Sequence, residues 1–191
     1  MGRKESRIQS WTSRFLLTIF IILTTQNLIS SPVDDHQERF EDVALKIWEY
    51  AELGYLEEKS SGLLQQELED SGFTIQSGIA GIPTAFIAEY NNGGPVLGIL
   101  GEFDALPGLS QQNVPFKTAE GLSSANGHAC GHHLFGAASA WAVVAIKEWL
   151  EESGTPGTIR FYGTPAEEGG SGKVYILSLI HISEPTRPRE I

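Results

Sequence analysis

The sequence of 191 residues lacks several features that define large classes of proteins. It has a single cysteine, Cys130, so an internal disulfide framework is excluded. It is poor in basic residues, with 13 lysines and arginines against 24 aspartates and glutamates. Its hydrophobic share of 41% is ordinary, which excludes a disordered, collagenous or coiled-coil chain. The length predicts one globular domain, or at most two small ones.

The negative charge is concentrated in the central part of the chain. Residues 31–176 carry seven basic and twenty-one acidic side chains, whereas residues 1–30 are net basic. An acidic surface of this kind repels phosphate backbones. We therefore expect no nucleic-acid partner.

Residues 1–30 have the order of a secretory signal peptide: a basic stretch, an apolar core and a polar end of small residues. Arg3, Lys4 and Arg7 belong to the basic stretch, and Phe15–Leu23 is the apolar core. Nine residues are fewer than the about 20 that a membrane-spanning helix needs. The sequence therefore predicts a secreted or periplasmic protein, with a membrane anchor as the alternative if the signal stays uncleaved.

The last fifteen residues, 177–191, are predicted to lie outside the native fold. Leu177–Arg187 resembles the translation of a sequencing adapter, and a chance match over eleven residues is rare. The native coding sequence is therefore expected to end near Ile176. The alternative is a genuine terminal strand, Val174–Ile182, which hydrophobic periodicity does not distinguish.

The body of the chain, 31–176, alternates segments with helical spacing and segments with strand composition. Helices are predicted from about Ser31 to Gly54, Lys59 to Asp70 and Gly131 to Glu152, and strands at Thr84–Tyr90, Val96–Leu100 and Thr158–Tyr162. This order predicts an α/β layer fold with a mixed sheet, joined by a long loop over 105–127.

Two of these elements carry predictions about packing. The nearly all-apolar run Val96–Leu100 predicts a central strand that is covered on both faces. The apolar side of the long helix is predicted from residues at helical spacing: Leu134, Ala138, Trp141, Ala145 and Trp149. Gly54 is the expected C-terminal cap of the first helix.

Three polar clusters follow three apolar segments. They are Glu102–Gly108, His128–His133 and Thr164–Gly170. Ligands of open α/β sheets bind beyond the carboxyl ends of the strands. We therefore expect the three clusters to meet at one edge of the sheet.

The side chains in these clusters suit metal-assisted amide hydrolysis. Cys130 stands near a predicted helix N-terminus, which favours the thiolate. A thiolate, the imidazole of His132 and a carboxylate are suitable ligands for a divalent transition metal. Glu167 and Glu168 diverge if their segment is irregular, so that one binds metal while the other takes a proton from water and passes it to the leaving amine.

Other interpretations of the same residues stay open at this point. Cys130 is also compatible with a nucleophile that uses His132 or His128 as its base. A third possibility is a metal-binding or peptide-binding module without catalysis. Asp104, from spacing alone, predicts a turn residue. His36 is expected to be exposed and without a role.

Glu-Glu pairs are usually solvated, and this is the prediction for Glu57-Glu58 and Glu151-Glu152. The pair in the third cluster differs only in its position after a predicted strand.

Longer motifs resemble one known family. Gly127–His132, followed by Leu134–Ser139, resembles the metal-binding helix start in the amidohydrolase branch of the aminoacylase and carboxypeptidase-type metallopeptidases. Phe161–Lys173 is similar to that family's catalytic Glu-Glu segment, and Glu102–Gly108 is similar to its first motif. Within the branch, the motifs look most like those of the p-aminobenzoyl-glutamate hydrolase and peptidase-like dipeptidase group.

The resemblance implies a role for each matching residue. Cys130, His132 and Glu168 would be metal ligands, and Glu167 would be the general base and acid. Asp104 would orient a ligand or bridge. The implied cofactor is a divalent ion, zinc or manganese, with one or two per site. The implied fold is a mixed-sheet catalytic domain with helices on both faces.

The chain also departs from the family pattern. Glu102 stands where relatives elsewhere in the family have a histidine ligand, and His133 stands where an aspartate or asparagine is usual. A further histidine ligand and the inserted lid and dimerisation domain are not in this sequence. We therefore expect a truncated catalytic domain, inactive by itself.

The resemblance also implies what the whole enzyme does. It would be a homodimer that hydrolyses amide bonds in small N-acyl amino acids, dipeptides or aminobenzoyl-glutamate-like compounds. The implied partners are these small molecules, and contact with a membrane would come only from an uncleaved signal anchor.

Overall fold

A computed structural model describes residues 33–112, 114–116 and 125–183 of the chain. The predicted signal peptide 1–30, part of the 105–127 loop and the last residues of the predicted non-native tail lie outside these ranges. Within them, no helix combines the length and the hydrophobicity that crossing a membrane requires. The elements that position the site belong to the compact unit that begins at His36.

The described chain begins with a short 3₁₀ turn at Asp34–His36, and helices and strands follow it. In chain order they are α1 (Gln37–Tyr50), α2 (Glu58–Asp70), β1 (Thr74–Ser77), β2 (Phe86–Asn91), β3 (Val96–Gly101), α3 (His132–Ser153), β4 (Thr158–Gly163), the single turn α4 (Glu167–Gly170) and α5 (Gly172–Ser183).

The four strands form one mixed sheet in the order β1-β2-β4-β3. The β1–β2 and β2–β4 pairs are antiparallel, and β3 runs parallel to β4. The prediction of an α/β fold with a mixed sheet is therefore confirmed.

The prediction that Val96–Leu100 is a central strand is wrong for the part of the chain that the structure describes. There β3 pairs only with β4 and is an edge strand. Val96 and Leu97 are 56% and 51% exposed. An all-apolar run predicts cover on both faces, but it does not state which elements supply that cover.

The main core lies between the sheet and helices α1, α2 and α3. Its largest fully buried side chains are Phe40, Phe86, Phe103, Phe161, Ile47, Leu64 and Leu68. Successive strand residues point to opposite faces, so Tyr162 lies across the sheet from Phe161. There it packs against a smaller cluster that contains Ile176 of α5. Helices thus contribute to both faces, as expected.

The buried face of α3 differs from the prediction. Leu134 and Trp149 are 58% and 53% exposed, whereas the buried positions are mostly small residues such as Ala137 and Ala140. Small residues let the helix approach the sheet closely. A Cβ atom on Gly136 would lie 2.6 Å from the carbonyl oxygen of Glu102. Of the predicted positions, Ala145 is buried and Trp141 packs against the core, so the prediction is wrong only for Leu134, Ala138 and Trp149.

Three further features of the secondary structure differ from the sequence predictions: a helix cap, an additional strand and the type of the last element. Helix α1 is capped by Ala51 in the left-handed conformation, with φ 42°, and not by Gly54. Strand β1 was not predicted, because its four residues are mostly exposed and show no clear alternation. Helix α5 runs across Ile176 to Ser183, so the alternative of a terminal strand at Val174–Ile182 is wrong.

Candidate metal centre

Parallel pairing of β3 and β4 brings two of the polar clusters together. Gly101 and Gly163, the last residues of the two strands, lie opposite each other. The chain then leaves both strands at the same edge, where the amide of Thr164 donates to the carbonyl of Gly101 over 2.9 Å. The close approach of α3 to the end of β3 adds the third cluster. The three clusters therefore meet at one edge, as predicted.

Asp104 joins two of the predicted ligands. One of its oxygens, Oδ1, lies 2.8 Å from Nδ1 of His132, and the other, Oδ2, accepts a hydrogen bond of 2.8 Å from the amide of Glu168. Asp104 is 1% exposed, and the histidine is 6% exposed. Asp104 is thus a buried link between His132 and the Glu-Glu segment, and the plain turn role predicted from spacing alone is wrong.

The other nitrogen of His132 faces a second group of acids. Nε2 lies 2.9 Å from Glu102 and 3.8 Å from Glu167. Glu102 is also paired with Lys173 of α5. Neither contact of Glu102 nor the involvement of Lys173 was predicted. The ion pair between Lys173 and Glu102 joins residues that are distant in sequence, so it leaves no local signal in the sequence.

The structure brings the three predicted ligands together, and His132 also belongs to a second, overlapping group with Glu102 and Glu167. In each of the two groups, Cys130–His132–Glu168 and Glu102–His132–Glu167, one donor atom from every residue lies within 4.8 Å of the others. Glu168 Oε1 is buried and has no hydrogen-bond partner. A buried carboxylate oxygen that accepts no hydrogen bond and lies beside a thiol and an imidazole is a fit for a cation, because burying it without a partner is costly. These donors suit a divalent transition metal.

Glu167 and Glu168 diverge, as the sequence analysis expected. The turn that holds them is irregular: Glu168 has ψ 26° and Gly169 has φ 140°. Glu168 is directed toward Nδ1 of His132, at 3.8 Å, and Glu167 toward Nε2. The side chain of Glu167 is 39% exposed and that of Glu168 is 18% exposed. The inner carboxylate therefore faces the donors, and the outer one is open to solvent.

Nearby acids raise the pKa of two predicted ligands, Cys130 and His132. The pKa of the exposed Cys130 thiol is raised, first by its hydrogen bond with Glu168, then by desolvation and the charges of Glu168, Glu167 and Asp104. The expected thiolate is thus disfavoured in the metal-free protein. The pKa of His132 is raised, chiefly by its hydrogen bond with Asp104. Both effects describe a site that is rich in negative charge.

Three other histidines, His128, His133 and His36, make structural contacts. His128 is 2% exposed, its Nε2 donates to the carbonyl of Ile47 over 3.0 Å, and its ring lies 5.0 Å from that of His133. Burial lowers the pKa of His133 to about 4. His36, expected to be exposed and without a role, instead pairs with Glu148 at 2.7 Å.

One residue at the site contradicts its prediction outright. Glu57, expected to be solvated, is 0% exposed, whereas Glu58 and the pair Glu151-Glu152 are exposed as predicted. Its neighbours in sequence form one wall of a cavity of about 280 Å³ beside Asp104 and Glu168. No local pattern separates Glu57 from an ordinary surface acid.

A mixed α/β sheet with thiol, imidazole and carboxylate donors beyond its strand ends is an arrangement that is compatible with a metallopeptidase domain. Residues 98–190 match peptidase family M20/M25/M40. The match covers just under half of the chain, and that part of the chain is similar to the family.

Two curated relatives and one solved structure illustrate the similarity. The chain is 44% identical over 149 residues to one of the subunits of p-aminobenzoyl-glutamate hydrolase from Escherichia coli (strain K12), with 78% of this chain and 31% of the relative covered. It is 32% identical over 162 residues to Xaa-Arg dipeptidase of Homo sapiens, with 76% and 33% covered. The chain thus spans about a third of the length of these relatives.

One structural neighbour is the YXEP protein of Bacillus subtilis, a dinuclear metal-binding peptidase of family M20. It superposes with a TM-score of 0.63 at 27% identity, over 76% of this chain and 40% of that one. The expected catalytic-domain fold, present in part, is thereby confirmed.

Proposed function

We propose that this chain carries the metal-binding part of a metal-dependent hydrolase of amide bonds. The substrates would be small N-acyl amino acids, dipeptides or aminobenzoyl-glutamate-like compounds. The observation that carries the proposal is the buried Glu168 Oε1, which accepts no hydrogen bond and lies beside Cys130 and His132. The names of the relatives support the substrate class.

The proposed cofactor is zinc or manganese, and the two overlapping donor groups leave room for a pair of ions. Cys130, His132 and Glu168 would hold the first ion. A divalent ion in this position lowers the pKa of water and polarises a carbonyl. The dinuclear centre of the Bacillus subtilis neighbour supports the proposal of two ions.

The other side chains would orient the ligands and move the proton. Asp104 fixes the ring of His132 and the backbone of Glu168 at once, which keeps the donors in place before any ligand arrives. Glu167 is open to solvent and lies beside the same ring. There its carboxylate would take a proton from the attacking water and deliver it to the amine nitrogen as the carbon–nitrogen bond breaks.

A cysteine nucleophile is the weaker alternative. A catalytic thiol needs a lowered pKa and an adjacent base. Here the neighbouring acids raise the pKa of Cys130, and Nε2 of His128 is engaged with a backbone carbonyl.

We further propose that the whole protein is a homodimer that is exported by its N-terminal signal. It would be secreted or periplasmic, or anchored to the membrane if the signal is not cleaved. The net basic start and apolar core of residues 1–30 support the export signal.

The site is tested by titrating the metal-free chain with Zn²⁺ and Mn²⁺ in a calorimeter. We expect binding that a chelator reverses and that Glu168→Gln weakens strongly, because the substitution replaces a charged ligand. Glu152→Gln, on the exposed part of α3, is the matched control and should bind like the wild type. Equal affinities of the two variants would refute the proposed centre.

The reaction is tested on the protein that the genomic reading frame encodes, with p-aminobenzoyl-glutamate and dipeptides as substrates. We expect chelator-sensitive release of the amine, which Glu167→Gln abolishes while affinity for the ion held by Cys130, His132 and Glu168 stays nearly unchanged. Turnover that survives the chelator but is lost on alkylation of Cys130 would favour the cysteine nucleophile instead.

A further inference from the structure

The loop between α1 and α2, residues 51–57, contacts two of the polar segments that form the site. The carbonyl of Glu52 accepts a hydrogen bond of 2.8 Å from the amide of Ala105, next to Asp104. The hydroxyl of Tyr55 donates to the carbonyl of Gly170 at the end of α4. The loop therefore bridges the segment after β3 and the segment after β4.

Glu57 makes the most deeply buried of these contacts. Its Oε1 accepts a hydrogen bond of 2.8 Å from the amide of Ala166, and its Oε2 accepts one of 3.1 Å from the hydroxyl of Thr84. The carboxyl is 0% exposed. A buried acid persists only where its hydrogen bonds are satisfied, so these two donors specify its position.

Ala166 is the residue whose backbone this acid holds. It has φ 58° and ψ 46°, the left-handed conformation that residues with a Cβ rarely adopt. A strained residue of this kind keeps its conformation only when its surroundings impose it. Gly54 fits the same place, because a Cβ there would lie 2.9 Å from the Cα of Ala166. Glu167 and Glu168 follow directly.

We propose that Glu57 is a positioning residue, which fixes the left-handed turn at Ala166 and thereby directs Glu168 toward the metal ligands and Glu167 toward solvent. This inference rests on the proposed function for its metal. The contact between Glu57 and Ala166 exists without one. Glu57 touches neither donor group and acts through the backbone alone.

The test compares three variants of the full chain. Glu57→Leu fills similar space but offers no acceptor to the Ala166 amide. Glu57→Gln keeps one acceptor oxygen, which can stay on that amide while its NH₂ group donates to Thr84. Ser61→Ala is the matched control, because it removes another buried hydrogen bond, 2.8 Å from its hydroxyl to the carbonyl of Thr84, without touching Ala166.

Two readouts separate positioning from general stability. The first is hydrogen exchange of the Ala166 and Glu168 amides in the metal-free protein. The second is Co²⁺ affinity, followed by the absorption that a cobalt–thiolate bond produces with Cys130. For Glu57→Leu we expect loss of protection at both amides and about 10–100-fold weaker Co²⁺ binding, the usual effect of removing support for a ligand. Glu57→Gln should restore both, and Ser61→Ala should change neither.

Each outcome decides the inference. Normal protection of the two amides in Glu57→Leu overturns it, and so does wild-type Co²⁺ affinity in that variant. If the wild-type chain binds no Co²⁺, the proposed function fails, while the exchange measurement still decides the role of Glu57. If Glu57→Leu does not fold, Glu57→Asp replaces it. Its carboxylate is one methylene too short to reach Ala166, so affinity equal to that of Glu57→Gln would overturn the inference.

Discussion

Asp104 and His132 form the buried pair on which the rest of the site is built. The Oδ1–Nδ1 distance is 2.8 Å, and the second oxygen of Asp104 is occupied by the amide of Glu168. A carboxylate offers acceptors on both oxygens, and this arrangement uses both.

Replacing Asp104 with asparagine should therefore weaken metal binding. Asparagine has one acceptor oxygen, so its NH₂ group must face either the imidazole of His132 or the amide of Glu168, and both are donors. We expect about 10–100-fold lower Zn²⁺ affinity, measured by competition with a chromophoric chelator. Asp42→Asn, at a half-exposed ion pair on α1, is the control. Unchanged affinity in Asp104→Asn would show that neither hydrogen bond orients a ligand.

Metal binding should raise the thermal stability of the chain. A ligand that binds only the folded state at 100 times its Kd adds about 2.7 kcal/mol to the free energy of unfolding. For a chain of this size that corresponds to a Tm increase of roughly 5–11 °C. Scanning calorimetry with and without Zn²⁺ measures it. The increase should vanish with chelator and in Glu168→Gln, and an equal increase in that variant would locate the ion elsewhere.

Helix α3 offers a direct test of which face is buried. Val143 is 0% exposed, whereas Leu134 is 58% exposed. Val143→Ala removes two buried methyl groups and should lower the free energy of unfolding by about 2 kcal/mol. Leu134→Ala should change it by less than about 0.5 kcal/mol. Urea denaturation of both variants measures the difference, and the reverse order would mean that α3 is rotated about its axis.

Glu57 should give the stability of the chain a recognisable dependence on pH. Burial raises the pKa of its carboxyl above the ordinary value of 4.5, against the lowering effect of its hydrogen bonds with Ala166 and Thr84. As the pH rises through 4.5, the unfolded chain loses this proton first. The folded state then binds more protons, and stability falls with pH until the folded pKa is passed.

Glu57→Gln removes this titration. Its free energy of unfolding, relative to the wild type, should therefore increase as the pH rises above 4.5 and level off once the folded pKa is passed. Urea denaturation across a pH series measures the difference between the two proteins, in which titrating groups that do not interact with Glu57 cancel. A difference that stays constant with pH would mean that Glu57 has the same pKa folded and unfolded.

The proximity of the predicted site residues followed from local order in the sequence. Cys130, His132 and the Glu-Glu pair stand directly after or before apolar segments, and parallel strands deliver such residues to one edge. The contacts of Glu57 and of Lys173 could not be predicted, because both depend on segments that are distant in sequence. Neither position differs locally from a solvated charge.

The position of β3 in the sheet and the buried face of α3 were harder to predict than the presence of these two elements. The apolar run of β3 indicated a strand correctly, but its edge position depends on which strand pairs with it. On α3, hydrophobicity weighted Leu134 and Trp149, whereas contact with the sheet required small residues such as Gly136 and Ala140. Hydrophobic periodicity indicates which face of a helix is apolar. Close packing against the sheet depends instead on the size of the side chains on that face.

The position of β3 as an edge strand has a practical consequence for handling this protein. Asp104 lies three residues beyond the end of a strand that is held along one side only in the described sheet. An ion bound by His132 and Glu168 would restrain Asp104 and, through it, the edge strand β3. Unpaired backbone groups on an edge strand promote self-association. We therefore expect concentrated stocks to keep longer when they are stored with the metal than with a chelator.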